Sequence, residues 1–264
     1  MQKTMERKSI KTIDFNCDLA QGYGVYRNNS ESELLNYVSS VNVSCGFHAG
    51  DPMTIKKSLL DAKEHNVVIG AHVGYDDIQG FGYRPIDLSD EEVEALVIYQ
   101  VGALLSFAKA YKLEIEHVRP HGAMYRKAAE DFRFATALAR AIQKSSQWLT
   151  YVGPVGDVTQ KVGEYVKIPV AQELIIDKVY TPDLMIDYAV SDINDVDLLV
   201  KRLQHFLHTS QINNNAEGNT FAEVSTIHFS NKNVNSLEIL KRSRALITPE
   251  PVNYGKVKMS GWVD

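Results

Sequence analysis

Short runs of apolar and β-branched residues alternate with longer amphipathic stretches, and this alternation constrains the fold more than any other feature. Seven runs have the length of strands, at residues 12–17, 41–45, 67–72, 115–118, 148–152, 168–176 and 224–229. Strands that are almost continuously apolar are typical of parallel sheets covered on both faces. Repeated strand–helix alternation also predicts right-handed crossovers. We therefore predict an α/β fold, a closed seven-stranded parallel β/α barrel, with a doubly wound open sheet as the alternative.

The stretches between these runs carry helix signals. Asp51 followed by Pro52 is a favoured N-cap and first-turn pair, and Ser89 with Glu92 has the spacing of a capping box. Apolar residues recur at helical spacing in further stretches, at 132–143, 196–207 and 235–246. These signals predict the helical crossovers that a parallel sheet requires.

The composition is that of a folded chain. It has 264 residues, 44% of them hydrophobic, and a net charge of −5, which excludes intrinsic disorder and argues against a nucleic-acid partner. No run of about 18 apolar residues is present, so no membrane span is predicted. We predict a single domain over residues 1–264, with a flexible leader at 1–11. The tail at 248–264 would pack over the outside or join an interface through Trp262.

The two cysteines, Cys17 and Cys45, cannot form a disulfide framework and are predicted to be buried, reduced thiols. The N-terminal residues carry positive charges but lack the apolar segment of a signal peptide. Together these features predict a cytoplasmic protein.

Three histidines with glycine close by follow consecutive predicted strands. In parallel α/β folds, ligands bind at the carboxyl ends of the strands. His48, His72 and His121 lie at such ends, and glycine lets a backbone turn tightly beside a ligand. A lone histidine there is more often bonded to a backbone carbonyl, but three alike favour a functional cluster. Asp18 follows the first predicted strand, Glu173 lies on the sixth, and both join the candidates.

Two chemistries suit this cluster. Imidazole and carboxylate are ligands for Zn, Mn or Fe, so a divalent metal could bind at Asp18, His48 and His72. The same residues could act as an acid–base cluster without metal, and the chain lacks the HExxH and paired-Cys patterns that would favour zinc. It also lacks a GxxxxGK[ST] loop, so we predict that it does not use ATP alone.

Four stretches carry a family resemblance: IDFNCDLAQGYG, VNVSCGFHAGDP, IGAHVGYDDIQGFGYR and HVRPHGAMY. They resemble the LamB/YcsF family, which comprises lactam-utilisation proteins and the A subunit of prokaryotic 5-oxoprolinase. The resemblance runs from about Ile13 to Tyr125 and continues weakly to the seventh strand. It implies a barrel of the glycoside hydrolase/deacetylase superfamily. It also implies ATP-dependent opening of 5-oxo-L-proline, or a related lactam, to L-glutamate, with the B and C subunits as partners that handle the ATP.

The resemblance also implies roles for particular residues. Lactam opening requires a group that deprotonates water and one that protonates the ring nitrogen. The catalytic candidates are Asp18, His72 and His121. The substrate-binding candidates are Asn16, His48, Arg119, Tyr125 and Glu173.

The chain departs from the family pattern at four places. Gln21 stands where the family has Glu, Arg119 where it has Lys, Lys178 where it has Arg, and Phe229-Ser230 where it has Gly-Asp. Gln21 cannot act as a base, and Arg119 cannot release its proton at neutral pH. Two alternatives to the lactam hydrolase therefore stay open: a metal-dependent amide hydrolase or deacetylase of the same superfamily, and a non-catalytic subunit.

Overall fold

Seven parallel strands close into a barrel in the computed structural model, which describes residues 10, 12–23 and 31–252. The described residues contain nine strands, seven in the barrel and two, β7 and β8, in a separate sheet: β1 (Asp14–Leu19), β2 (Ser40–Ser44), β3 (Val68–Val73), β4 (His117–Pro120), β5 (Thr150–Pro154), β6 (Val170–Ile175), β7 (Gln211–Asn213), β8 (Asn219–Phe221) and β9 (Thr226–His228). Neighbours in the barrel follow the chain from β1 to β6, and β9 closes the ring between β6 and β1. The predicted closed barrel is confirmed, and the open-sheet alternative is wrong.

Helices cover the outside of the barrel. They are α1 (Glu31–Leu34), α2 (Pro52–Glu64), α3 (Asp90–Tyr111), α4 (Gly122–Glu130), α5 (Phe132–Ser145), α6 (Asp157–Val166), α7 (Val196–Thr209) and α8 (Ser236–Arg244). The two predicted helix starts are confirmed. Asp51 accepts hydrogen bonds from the first-turn amides of α2, and Ser89 with Glu92 forms the capping box of α3.

Two segments outside the predicted strands and helices are regular structure. The polar stretch at 211–220 forms the antiparallel hairpin of β7 and β8, outside the barrel. The residues at 119–125, which follow the predicted fourth strand at 115–118, are divided between β4 and α4, with His121 as the N-cap between them. Gly122, with a φ of +55°, turns the chain directly from strand into helix, because glycine adopts that conformation without steric cost.

The interior of the barrel is polar, which the apolar character of the strands did not predict. In β1, Asp14, Asn16 and Asp18 alternate with Phe15 and other apolar residues, and every side chain of the strand is buried. The polar side chains point into the barrel, where they hydrogen-bond to residues of neighbouring strands. The apolar ones point outward into the hydrophobic core under the helices. Strand alternation thus separates a polar interior from an apolar shell.

An apolar cluster lies inside the barrel near the start of the strands. Val152 and Ala171 form it, and Val68 and Val252 pack against them. The amide of Glu250 donates to the carbonyl of Ile13, 3.1 Å away. The described part of the C-terminal tail therefore reaches the amino-terminal end of the barrel.

The ends of the chain are only partly described. Within the predicted leader, the amide of Ile10 donates to the carbonyl of Leu207 at 3.0 Å. The rest of the leader, and Trp262 in the tail, lie outside the described residues. Cys17 and Cys45 are both buried and form no disulfide, as predicted.

By length and composition alone, α3 is the one helix of the described residues that could cross a membrane. A long core helix passes the same test, so this is weak support for a span. Ion pairs join α3 to α5 at its surface, Arg133 to Asp90 at 3.1 Å and Lys144 to Glu94 at 2.7 Å. The absence of a membrane span and the cytoplasmic location stay predictions.

Candidate active site

Three buried histidine rings lie together at the carboxyl end of the barrel, and we call His48, His72 and His121 the histidine trio. The rings of His48 and His121 stack with centroids 4.0 Å apart and an angle of 12°. His72 Nε2 lies 2.8 Å from His121 Nδ1, and His48 Nε2 lies 3.1 Å from the hydroxyl of Ser44. Three loops and strands that are separate in sequence thus meet at one point.

The hydrogen bonds of His72 and His121 indicate which nitrogen of each ring carries the proton. His121 Nε2 lies 2.8 Å from the carbonyl oxygen of Phe81, and a carbonyl can only accept, so this nitrogen donates. In the neutral ring Nδ1 must then accept, and its donor is Nε2 of His72. His72 Nδ1 is therefore the lone-pair nitrogen at the end of the chain of bonds, and it is buried without a partner.

The trio is neutral at pH 7. Burial lowers the pKa of His121 to about 4, which the negative charge of Asp18 only partly opposes. Burial and the neighbouring rings hold the pKa values of His48 and His72 well below the ordinary range. Neutral imidazoles can take up a proton in a reaction, as a general base must.

Glycines make room for this close packing. A Cβ on Gly74 would lie 2.5 Å from His48 Nδ1. A Cβ on Gly82 would lie 2.8 Å from both His121 Cδ2 and His48 Cβ, and Gly82 also has a φ of +71°. The glycines near the histidines therefore allow the rings to approach the backbone, as expected from the sequence.

Asp18 lies beside the trio in a shell of donors. Its carboxylate accepts from Asn42 Nδ2 at 3.1 Å and from Gln21 Nε2 at 3.0 Å. His72 Nε2 is 3.6 Å from Oδ2, and Arg119 Nη1 is 3.5 Å from Oδ1. Asp18 thus connects the trio to the polar interior of the barrel.

The Asp18 carboxylate is ionised at neutral pH. Burial raises its pKa, but His228 and the Arg119 guanidinium oppose burial, and the resulting pKa is below the ordinary value. His228 Nε2 lies 3.7 Å from Oδ2. Asp18 is therefore suited to stabilise positive charge that develops on a neighbouring imidazole.

A second set of contacts fixes the residues of the barrel interior next to Asp18. Arg119 Nε and Nη2 donate to the Glu173 carboxylate at 2.7–2.8 Å, and the guanidinium carbon lies 4.9 Å from the centre of the Tyr125 ring. Asn16 Nδ2 donates to Glu173 at 3.1 Å, while Asn16 Oδ1 lies 2.7 Å from His228 Nδ1. The paired charges and aligned amides hold this part of the barrel rigid.

The trio does not present three lone pairs to one point. Potential ligand atoms of His48, His72 and His121 lie within 4.8 Å of one another, so these are the residues that could approach a metal. A metal lies in the plane of each imidazole ligand, whereas the His48 and His121 rings are stacked face to face. Both nitrogens of His121 are also engaged in hydrogen bonds. As arranged, the rings fit an acid–base cluster better than a metal site.

All eight residues named as catalytic or substrate-binding from the sequence are buried at the carboxyl end or in the polar interior of the barrel. They are Asn16, Asp18, His48, His72, Arg119, His121, Tyr125 and Glu173. The sequence reasoning did not assign a role to several others nearby: Asn42, Tyr83, His117, His228 and Lys232. The alternation of polar and apolar residues in β1 and β2 could have identified Asn42.

The residues that differ from the family pattern at 178 and 229–230 make contacts outside the trio. Phe229 is buried and packs on Phe15, with ring centroids 4.8 Å apart, so it fills the core outside the barrel. Lys178 donates to Asp192 at 2.5 Å. The carbonyl of Ser230 accepts the hydroxyl of Ser236 at the start of α8. These residues are integrated into the fold without entering the trio.

Known proteins resemble this chain in both sequence and fold. The model of the LamB/YcsF family matches residues 13–260. The chain belongs to the LamB/YcsF family. A crystal structure of a lactam utilization protein from Thermus thermophilus has a TM-score of 0.84 and 31% identity to it, covering 91% of this chain and 99% of that one.

Relatives in the LamB/YcsF family carry a more specific name. The 5-oxoprolinase A subunit of Geobacillus thermodenitrificans is 44% identical over 174 residues, which are 66% of this chain and 68% of that protein. That of Bacillus subtilis is 42% identical over 171 residues, which are 65% of this chain and 66% of that protein. The family resemblance stated from the four motifs is therefore confirmed.

Proposed function

We propose that this chain is the lactam-opening subunit of a 5-oxoprolinase. It would hydrolyse 5-oxo-L-proline, or a related lactam, to L-glutamate, together with partner B and C subunits that use ATP. The similarity to relatives named as the 5-oxoprolinase A subunit supports the substrate class. The observation that carries the chemistry is the ionised Asp18 beside the neutral, hydrogen-bonded pair of His72 and His121.

Lactam opening makes defined demands on such a site. A water oxygen must bond to the ring carbonyl carbon, the carbon–nitrogen bond must break, and the ring nitrogen must gain a proton. His72 Nδ1, the lone-pair nitrogen of the His72–His121 pair, takes the proton from water and later returns it to the ring nitrogen of the lactam. Asp18 stabilises the imidazolium formed in between, since its carboxylate lies 3.6 Å from His72 Nε2. His72 therefore serves as base and acid in turn.

ATP enters through the partners. A lactam carbonyl is a poor electrophile, and phosphorylation of its oxygen makes the carbon more reactive toward water. Addition of one water and cleavage of the carbon–nitrogen bond then give an acyl phosphate, and a second water releases inorganic phosphate and the carboxylate of the product. The chain has no GxxxxGK[ST] loop, which is consistent with phosphorylation on another polypeptide of the complex. In this proposal the barrel receives the activated lactam.

The polar residues of the barrel interior next to Asp18 have a positioning role. Arg119, Glu173 and Asn16 were expected to bind substrate, but their polar groups are engaged with one another inside the barrel. They orient Asp18 and supply the positive charge that keeps it ionised. His48, stacked on His121, holds that ring in place.

The test is glutamate release from 5-oxo-L-proline and ATP by candidate B and C subunits, with and without this chain. We expect glutamate only when the chain is present, and a loss of about 100-fold or more with His121→Asn, because this change removes the imidazole that fixes the tautomer of His72, the general base. His208→Asn, at an exposed position of α7, is the matched control and should retain full activity. Full activity of His121→Asn would contradict the assigned role.

The two alternatives give different results in the same assay. A metal-dependent amide hydrolase would lose activity after chelation and regain it with metal. A non-catalytic chain would bind the partners but give no glutamate, while a functional relative from the same family rescues the same mixture. Activity that survives chelation and requires His121 supports the lactam hydrolase over both.

A further inference from the structure

Lys232 contacts two aromatic rings that in turn contact the trio. It lies in the loop between β9 and α8, and its Nζ donates to the Tyr83 hydroxyl at 2.6 Å. The same ammonium is 4.3 Å from the centre of the Phe81 ring and 4.0 Å from that of Tyr83. Both rings also contact the ring of His121, at centroid distances of 5.4 and 5.1 Å. Lys232 is therefore separated from His121 by a single layer of aromatic rings.

The charge of Lys232 is not neutralised by an acid. Arg119 is paired with Glu173, and Lys178 is paired with Asp192. Within the described part of the chain, Lys232 has no carboxylate within 4.0 Å. Its ammonium is left with a hydroxyl and two aromatic faces, which attract a cation but do not cancel its charge.

This environment favours the approach of an anion. Partial burial lowers the pKa of Lys232 to about 8, although the charge of Asp18 opposes the shift. The ammonium is thus still protonated in most molecules at neutral pH, and an anion beside it would offset its lost hydration.

We infer that Lys232 forms the subsite that binds the carboxylate group of the lactam. The inference rests on the proposed function, since 5-oxo-L-proline carries one carboxylate on its ring. The ionised Asp18 repels that group, so the ring must bind with its carboxylate away from Asp18 and its amide toward the trio. Lys232 lies on the loop that begins with Phe229 and Ser230, two residues that differ from the family pattern. It provides a positive charge for the carboxylate at a position away from Asp18.

The experiment measures KM and kcat for 5-oxo-L-proline in the reconstituted complex. For Lys232→Met we expect KM to rise about tenfold or more, the size expected when a charge-assisted hydrogen bond is lost, with kcat changed less than about threefold. Lys232→Arg keeps the charge and should restore most of the affinity. Lys161→Met, on the exposed surface of α6 and paired only with Asp157, is the matched control and should leave KM unchanged.

A neutral analogue separates the carboxylate from other groups. Inhibition by 5-oxo-L-prolinamide, which has an amide in place of the carboxylate, should be equally weak with wild type and Lys232→Met. An unchanged KM in Lys232→Met would overturn the inference, and so would an equal loss of affinity for acid and amide. The wild-type chain is assayed first. Absence of glutamate in that assay would refute the proposed function itself.

Discussion

Gln21 shows how one neutral side chain sets the charge of its neighbour. Its amide nitrogen donates to Asp18 Oδ2 at 3.0 Å, at the position where the family pattern has a carboxylate. Two carboxylates at that separation cannot both ionise easily, and the pKa of one of them rises. With an amide there instead, Asp18 keeps its full negative charge next to His72.

Gln21→Glu should therefore raise the pKa of Asp18, by about one pH unit or more. The acid limb of the pH dependence of kcat/KM would move to higher pH, since Asp18 would be protonated over part of the range in which it is now ionised. A carbon-13 NMR titration of the Asp18 carboxyl measures the same shift without turnover. An unchanged titration would show that residue 21 does not control Asp18.

The sequence identified residues that belong to short motifs, and it missed those assembled by the fold. His48, His72 and His121 were found because glycine marks each of their loops. Lys232 and Tyr83 are 149 residues apart in sequence and have no local signal, since an isolated lysine in a polar loop is ordinarily solvated. Their contact follows only from the fold, which brings the loops after β3 and β9 together.

Within the strands, side-chain size is matched across the barrel interior. Gly70 in β3 lies directly opposite His117 in the register of β4, and a Cβ on Gly70 would collide with the His117 imidazole. His117 Nε2 donates in turn to Asn42 Oδ1 at 2.9 Å, and Asn42 donates to Asp18. The absence of a side chain at Gly70 thus affects the position of Asp18.

Gly70→Ala should lower the free energy of unfolding by about 1–3 kcal/mol, the usual cost of overpacking a core. Its matched control is Gly102→Ala in the middle of α3, where a Cβ meets nothing within 4 Å. That change should be neutral or stabilising by up to about 1 kcal/mol, because alanine favours helix over glycine. Urea unfolding of both variants measures the difference, and equal effects would refute the packing argument.

The elements themselves were largely predictable. Apolar and β-branched runs located all seven barrel strands, and the cap residues Asp51 and Ser89 located two helix starts. The polar interior was not predicted. Asp14, Asn16 and Asp18 find their hydrogen-bond partners on neighbouring strands, and those partners are known only once the strands are placed side by side. The hairpin of β7 and β8 was also missed, since three-residue strands give too short a pattern.

For the whole molecule, the buried titratable groups make stability depend on pH. Five histidines have pKa values below the ordinary 6.5, and they are His48, His72, His117, His121 and His228. Between pH 6.5 and about 4 the unfolded chain binds protons on these rings that the native barrel does not, so stability falls as pH falls. Asp14 and Asp177, whose pKa values burial raises to about 6, act in the opposite direction but are fewer.

The urea midpoint should therefore decrease steadily from pH 7 to pH 4.5, since each net proton contributes about 1.4 kcal/mol per pH unit. His121→Asn removes one of the groups and should give a shallower dependence. His208→Asn, at the surface of α7, should give the wild-type slope. A midpoint that is constant over this range would contradict the neutral state of the buried rings.

Closure of the barrel has a consequence for how the chain is made. β1 pairs with β9, so that Asp14 lies beside Thr226, and neither edge of the sheet is covered until both strands are present. On the ribosome the first strand must wait until more than 200 residues have been added, with its row of unpaired amides and carbonyls exposed meanwhile. Contacts between such distant residues also make folding slow. A nascent chain of this kind would benefit from a chaperone that holds it until the seventh barrel strand emerges.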